Sequence, residues 1–334
     1  MTTAQNLASL SQLFSTTSLG YRNKVINGNF DIWQRGTSLS SGTSVRYLAD
    51  RFMNDSIGST YTVSQQTFTL GQTAVSGEPK FFHRTVVTSS AGAGNCANFQ
   101  HRLEGVRTFA GQTATLSFWA KADASKNIAV ELYQYFGSGG SPSAGVDTSA
   151  TTLALTTNWT KYTVTISVPS ITGKTLGTDN GDWLGVTIWY EAGSNFNSRT
   201  NSLGQQSGTF DIAQVQFESG NTTTVFEQRP LAVEVVLCQR YFEAISTNGI
   251  MVYNQGSTGA LMDVVFQVSK RGNPSLTYVG SMPSGEYTNT PTSVGLDRIQ
   301  TGRAQVLWTG TGGPAAATCG RMLVGGTMQF SAEL

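Results

Sequence analysis

Between Gly105 and Gly140 apolar and polar positions alternate strictly, two residues to a period. Ala114, Leu116, Phe118 and Ala120 fall on one face of a first segment, with Thr115, Ser117, Trp119 and Lys121 on the other. After a short polar turn, Ile128, Val130, Leu132, Gln134 and Phe136 share a face, leaving Ala129, Glu131, Tyr133 and Tyr135 opposite. Successive side chains of a strand point to opposite sides, so this period predicts two strands joined as a hairpin, each with one dry face. The wetter face is unusual. It carries Trp119, Tyr133, Tyr135 and Glu131 where Thr, Lys or Ser would be the ordinary choice.

The same period recurs along the chain. Residues 61–70, 80–90, 159–170, 183–193 and 208–220 read as strands. In the segment 183–193, Leu184, Val186, Ile188 and Tyr190 take one face, and Trp183, Thr187, Trp189 and Glu191 the other. In the segment 208–220, Phe210 and Ile212 break phase with Val215 and Phe217, which predicts a β-bulge. Near the start, Asn27-Gly28 marks a turn with positive φ. Many short strands with Gly-rich turns and no interleaved helices predict an all-β protein, a jelly-roll β-sandwich over 23–228. Ahead of it, residues 1–22 read as an N-terminal arm. Behind it, Pro230 opens a predicted linking helix over 229–245, with Leu231, Val235, Cys238 and Phe242 at helical spacing. Residues 246–334 return to β and make a small C-terminal domain.

Composition narrows the functional classes. Only 12% of residues are charged, against about 25% in ordinary soluble proteins. A net charge of +1 gives no electrostatic reason to expect nucleic acid or an anionic membrane as partner. Cys96, Cys238 and Cys319 lie far apart with no metal-binding spacing, and Cys238 reads as a small packing residue. His83 and His101 are the only histidines, so a His-based catalytic site has little to draw on. His101 reads as a surface or hydrogen-bonded residue. No basic segment followed by an apolar core opens the chain, so no signal peptide is expected. No apolar run is long enough to insert into a membrane.

The tracts NGNFDIWQRG, YLADRF, LSFWAKA, FDIAQVQFESG with FEQRP, and LCQRYFE together resemble a type of phage and prophage tail-fibre or structural protein. The closing FSAEL is similar to the end of the small C-terminal domains of such proteins. The resemblance implies a carbohydrate-binding-module-like jelly roll in a virion component made in the host cytoplasm. It also implies a homotrimer, contacts with other tail or capsid proteins, and contact with the host surface. Resembling modules often hold a structural Ca²⁺ near the strand ends. Asn29, Asp31 and Asp211 occupy suggestive places for its hard oxygen ligands, and the same residues would serve a turn through Asx hydrogen bonds. No other cofactor is expected.

Three uses of the aromatic face compete. Sugar rings present apolar C–H faces to aromatic rings and hydroxyls to polar groups, so Trp119, Tyr133, Tyr135 and Trp189, with Glu131 and Glu191 alongside, make a candidate host-glycan site. The same face would equally be buried against the arm, the second domain or a neighbouring subunit, as in a capsid decoration or joining protein. Third, Glu131 and Glu191 would form the carboxylate pair of a polysaccharide depolymerase. No GxSxG, P-loop or HExxH motif occurs, and the chain is read as non-enzymatic.

Overall fold

In the computed structural model, which describes residues 21–148, 150–254, 259–282, 284–285, 290–311 and 319–334, the period-two segments are strands. Apart from its last two residues, the predicted arm lies outside the described residues. Two compact units emerge, one ending at Arg229 and one spanning Pro230–Glu333.

The first unit begins with β1 (Ser38–Gly42), β2 (Arg46–Tyr47), β3 (Phe52–Ile57), β4 (Thr60–Thr67), β5 (Phe81–Thr88) and β6 (Cys96–Glu104). It continues through β7 (Thr113–Ala122), β8 (Lys126–Tyr135), β9 (Val146–Asp147), β10 (Thr151–Leu155), β11 (Thr160–Ser167), β12 (Trp183–Ala192) and β13 (Gly208–Ser219). A 3₁₀ turn and the one-turn helix α1 (Asn197–Thr200) follow β12. The strands form two antiparallel sheets of a jelly-roll sandwich. The first has the order β1-β4-β5-β13-β7-β11; the second has the order β10-β8-β12-β6-β3-β2, with β9 added to β8. Between them Leu116, Phe118, Ile128, Val130, Leu132, Leu184, Val186, Ile188, Ile212 and Phe217 form one core. Full burial of each large apolar side chain contributes about 1.5–3 kcal/mol.

The predicted hairpin is not one. Three residues separate β7 from β8, a length that ordinarily closes a hairpin. Yet β7 lies between β13 and β11 in the first sheet, and β8 between β12 and β10 in the second. The connection is held by its neighbours: the Ala122 N–H donates to Thr156 O at 2.9 Å and the Asp123 N–H to Thr209 O at 3.1 Å. The Asp123 carboxylate accepts the Thr209 N–H at 3.0 Å in return. These bonds turn the chain across the core, so the two outward faces lie on opposite sides of this unit.

The opening residues are pinned without pairing as a strand. Asn27 takes φ +60°; its amide donates to Ile32 O at 2.8 Å and Asp50 O at 3.0 Å, and its carbonyl accepts the Ile32 N–H at 3.0 Å. Gly28 is needed for close approach, since a Cβ there would sit 2.1 Å from Val215 O. The beginning and end of the unit are clasped together. Glu227 accepts the Tyr21 N–H at 2.8 Å and the Asn23 N–H at 2.6 Å, and the Lys24 N–H donates to Phe217 O at 2.9 Å.

Both histidines are interior. His83 is fully buried, with Nε2 3.1 Å from Asn54 Oδ1 and its ring 4.5 Å from Phe99 and stacked on Trp33 at 5.7 Å. Burial pulls its imidazole down to about 3. His101 accepts the Ile26 N–H at 3.2 Å, and burial together with Arg51 holds it well below the ordinary histidine range. The sequence context of His101 is polar because its neighbours on β6 face the other way; the ring itself points inward.

In the second unit the predicted helix is shorter than expected. Helix α2 spans Leu231–Gln239, and residues 242–246 leave it for β14 (Phe242–Ser246), whose Phe242 pairs with Ser331. Of the expected apolar stripe, Cys238 is buried, Leu231 is exposed and Phe242 belongs to the strand. The remaining strands are β15 (Met251–Asn254), β16 (Gly259–Val265), β17 (Ser275–Val279), β18 (Ser284–Gly285), β19 (Thr290–Ile299), β20 (Arg303–Thr311), β21 (Cys319–Val324) and β22 (Thr327–Ser331). They form the sheets β14-β22-β17 and β18-β21-β15-β16-β20-β19. Met262, Val264, Phe266, Val306, Trp308, Met328 and Phe330 supply a core of the unit's own. Beside it Lys270 and Glu243 are a buried ion pair at 2.5 Å.

Candidate functional site

The second sheet carries a groove on its outer face. Cross-strand register sets its floor in rows: Asp55, Asn98 and Trp189 lie in one, and Met53, Gln100, Thr187 and Glu131 in the next. A third row holds Arg102, Gly185 and Tyr133, and a fourth Glu104, Trp183 and Tyr135. The groove encloses roughly 230 Å³. Four neighbouring strands at about 4.8 Å spacing give a floor about 14 Å across.

Gly185 shapes one end. A Cβ there would lie 2.7 Å from Trp183 Cζ3, so the missing side chain lets the indole lie along its own strand. Arg102 covers that ring at 4.3 Å, and Tyr133 and Tyr135 flank it at 5.5 and 5.3 Å. Arg102 Nε donates to Gln100 Oε1 at 2.7 Å, and Gln100 Nε2 to Thr187 Oγ1 at 2.8 Å. These side chains are held in place before any ligand arrives.

At the other end Glu131 is fully buried. It accepts both Arg199 Nε and Nη2 at 2.8 Å and Trp189 Nε1 at 3.0 Å. Burial pushes its carboxyl up, opposed by those bonds. Arg199, from α1, also lies over Tyr133 and Trp189, and Phe196 packs on Trp189 at 5.4 Å. Asn98 and Asp55 differ from these. Among the described residues the nearly buried Asn98 amide makes no hydrogen bond, and Asp55 faces the groove with its carboxyl raised by burial.

Of the six residues expected on one face, Tyr133 and Trp189 line the groove, Glu131 lies buried behind Trp189 and Arg199, and Tyr135 flanks Trp183. Trp119 does not join them. It stands on the outer face of the first sheet, because β7 and β8 part company. Glu191 also departs from expectation. Trp189 opposes Asn98 while Glu191 opposes the core residue Ala97, so a bulge at Tyr190 turns Glu191 inward. It is fully buried, and its Oε2 accepts Ser89 Oγ at 2.5 Å. Glu131 and Glu191 therefore lie on opposite sides of their sheet, and the acid pair of a depolymerase is not assembled.

Trp183, Asp55, Asn98, Gln100, Arg102 and Arg199 were not among the residues expected from sequence. The signal for three of them was present: β6 alternates Asn98, Gln100 and Arg102 against Ala97, Phe99, His101 and Leu103. Nothing in the pattern announces that α1 folds Arg199 back onto Glu131.

The suggested calcium ligands are engaged with other groups. Asn29 donates to Asp31 at 3.0 Å, and burial raises the Asp31 carboxyl, opposed by that bond and by the charge of Lys80. Asp211 already takes a bidentate pair from Arg84 at 2.7 and 2.8 Å, with Lys121 at 3.6 Å. Among the described residues no group of three or more His, Cys, Asp or Glu side chains is placed to hold a metal.

No family model matches the chain, and no curated protein sequence does. Solved structures similar to it include a family 4 carbohydrate-binding module, at 15% identity over 59% of this chain and 99% of that one, with a TM-score of 0.33. The xylan-binding CBM22-2 domain of Paenibacillus barcinonensis Xyn10C is 14% identical over 59% of this chain and 98% of its own, with a TM-score of 0.32. The family 11 carbohydrate-binding module from Clostridium thermocellum, solved with a β-1,3-1,4-mixed-linked tetrasaccharide, is 14% identical over 55% of this chain and 99% of its own, with a TM-score of 0.31. At that level the likeness carries no argument about a ligand.

Proposed function

We propose that the chain is a non-catalytic glycan-binding protein and that its groove on the second sheet holds the ligand. One observation carries the reading. A groove built from Trp183, Tyr133 and Trp189 also presents an Asn98 amide with no partner among the described residues, beside the Asp55 carboxylate. Aromatic ring faces meet sugar C–H groups, and the unengaged amide and the Asp55 carboxylate take hydroxyls. A concave site with apolar walls and few convergent polar groups is the usual form of a small-ligand site.

The virion setting is part of the same proposal. The tracts around Asn27, Leu116 and Phe210 resemble tail-fibre proteins, which supports a phage tail appendage acting in host attachment as a homotrimer. Three weak sites engaged together would gain avidity without new contacts.

A glycan array read with wild type, Trp183→Ala and Asn98→Ala tests the site. Saturable binding should weaken about tenfold or more in each variant. Binding that survives both substitutions sinks the groove as the site. Light scattering and co-sedimentation with host cells test the setting. A monomer that sediments with purified capsids and ignores cells would instead support the joining-protein alternative.

A further inference from the structure

The first sheet has a pocket of its own. It encloses roughly 260 Å³ on the outer face, around Trp119 and Ser117 of β7, Lys161 of β11 and Gln214 of β13. That volume lies below the range of roughly 300–1,000 Å³ that holds drug-sized ligands. It suits one ring. Trp119 is half-buried, and its register partner on β13 is the small Ala213, which leaves the indole uncrowded.

Gln214 is the telling residue. It occupies the bulge between Ala213 and Gln216 with φ +49°, a left-handed backbone that a non-glycine residue seldom adopts. Its side chain is 95% buried, being 5% exposed. Its Nε2 donates to Ser76 O at 2.9 Å. A carbonyl accepts only a donor, so the amide can face only one way, and the atom left over is the acceptor Oε1. Among the described residues that buried oxygen has no hydrogen-bond partner, and such groups are rare without a reason.

The wall opposite is fixed by its own bonds. Glu218 accepts the Thr224 N–H at 2.9 Å and the Thr224 hydroxyl at 2.7 Å. Lys161 Nζ donates to Thr224 O at 3.2 Å, and the Glu227 N–H to Gln216 Oε1 at 2.7 Å. Among the described residues the pocket's only cation, Lys161, is therefore turned toward a backbone carbonyl.

We infer that this pocket is a second ligand site, taking a single neutral pyranose with its C–H face on Trp119 and a hydroxyl donating to Gln214 Oε1. It lies on the opposite sheet from the groove and does not rest on the groove's reading.

The test uses the full chain labelled with 5-fluorotryptophan, the Trp119 resonance being assigned with Trp119→Phe. Methyl glycosides of glucose, galactose and mannose are titrated into the high millimolar range in wild type, Trp183→Ala and Gln214→Met. One glycoside should shift the Trp119 resonance saturably, equally in wild type and Trp183→Ala, and about tenfold more weakly in Gln214→Met. If Gln214→Met does not fold, saturation transfer to the glycoside is compared between Trp183→Ala and its Trp119→Ala double variant, and should fall about tenfold. Silence of Trp119 toward all three glycosides leaves the pocket to water and overturns the inference. So does a shift unchanged in Gln214→Met, or transfer undiminished without Trp119. Loss of the shift in Trp183→Ala would place the sugar in the groove and overturn it as well.

Discussion

The protonation of His83 gives a prediction whose size follows from the structure. Its ring lies among Phe30, Phe99 and Trp33, with Asn54 and Thr85 as its hydrogen-bonding neighbours. Burial holds it at about 3, against 6.5 for a free imidazole. The unfolded chain therefore binds a proton that the folded chain refuses. This contribution to stability is complete above the unfolded value and is lost as pH falls from there toward the folded value. In that window the slope is about 1.4 kcal/mol per pH unit, and between about pH 7 and pH 4 the loss integrates to about 3 kcal/mol. His101 acts in the same direction. Asp31, Asp55 and Glu131, whose carboxyls are raised, act in the opposite sense at the acid end. Comparing wild type with His83→Gln cancels those terms. Urea melts at several pH values, followed by tryptophan fluorescence, should show a slope smaller by one proton in the variant. Equal slopes, or a His83 ring resonance that titrates near its free value, would refute the reasoning.

Other perturbations follow from particular contacts. Arg199→Met leaves the buried Glu131 with only the Trp189 indole, and should cost the first unit about 3–5 kcal/mol in a denaturant melt; Glu131→Gln in the same background should restore part of it. Gly28→Ala forces a Cβ toward Val215 O and should destabilise by about 1–3 kcal/mol or more, read as a lowered melting temperature. Lys270→Met strands the Glu243 carboxylate inside the second unit. It should lower the transition of that unit by about 3–5 kcal/mol while the Trp183 and Trp119 signals of the first unit stay unchanged.

Local periodicity made most of the strands legible. The alternation of residues 114–121, 128–136, 160–168 and 183–189 puts the right side chains in the core, and the phase break before Val215 marks a real bulge. What did not show was which strand pairs with which. A three-residue polar turn says hairpin, and only long-range bonds from Ala122 and Asp123 to Thr156 and Thr209 carry the chain across the core instead. Trp119 was misplaced for that reason. Glu191 was misplaced by one residue of bulge, since a single insertion reverses every side chain beyond it. The linking helix was overextended because Phe242 fits its stripe as well as it fits a strand, and pairing with Ser331 decided the matter.

The clasp at the ends of the first unit has an architectural consequence. Tyr21 and Asn23 meet Glu227, and Lys24 meets Phe217, so the chain enters and leaves this sandwich at one spot. A domain with adjoining termini can be spliced into a surface loop of another protein, or have its ends fused and new ones opened elsewhere, with little strain. The same geometry lets sequences on either side be exchanged during evolution without disturbing either pocket. A circular permutant opened in the Gly137–Gly145 loop and joined through a short linker from Arg229 to Tyr21 should fold to the same sandwich.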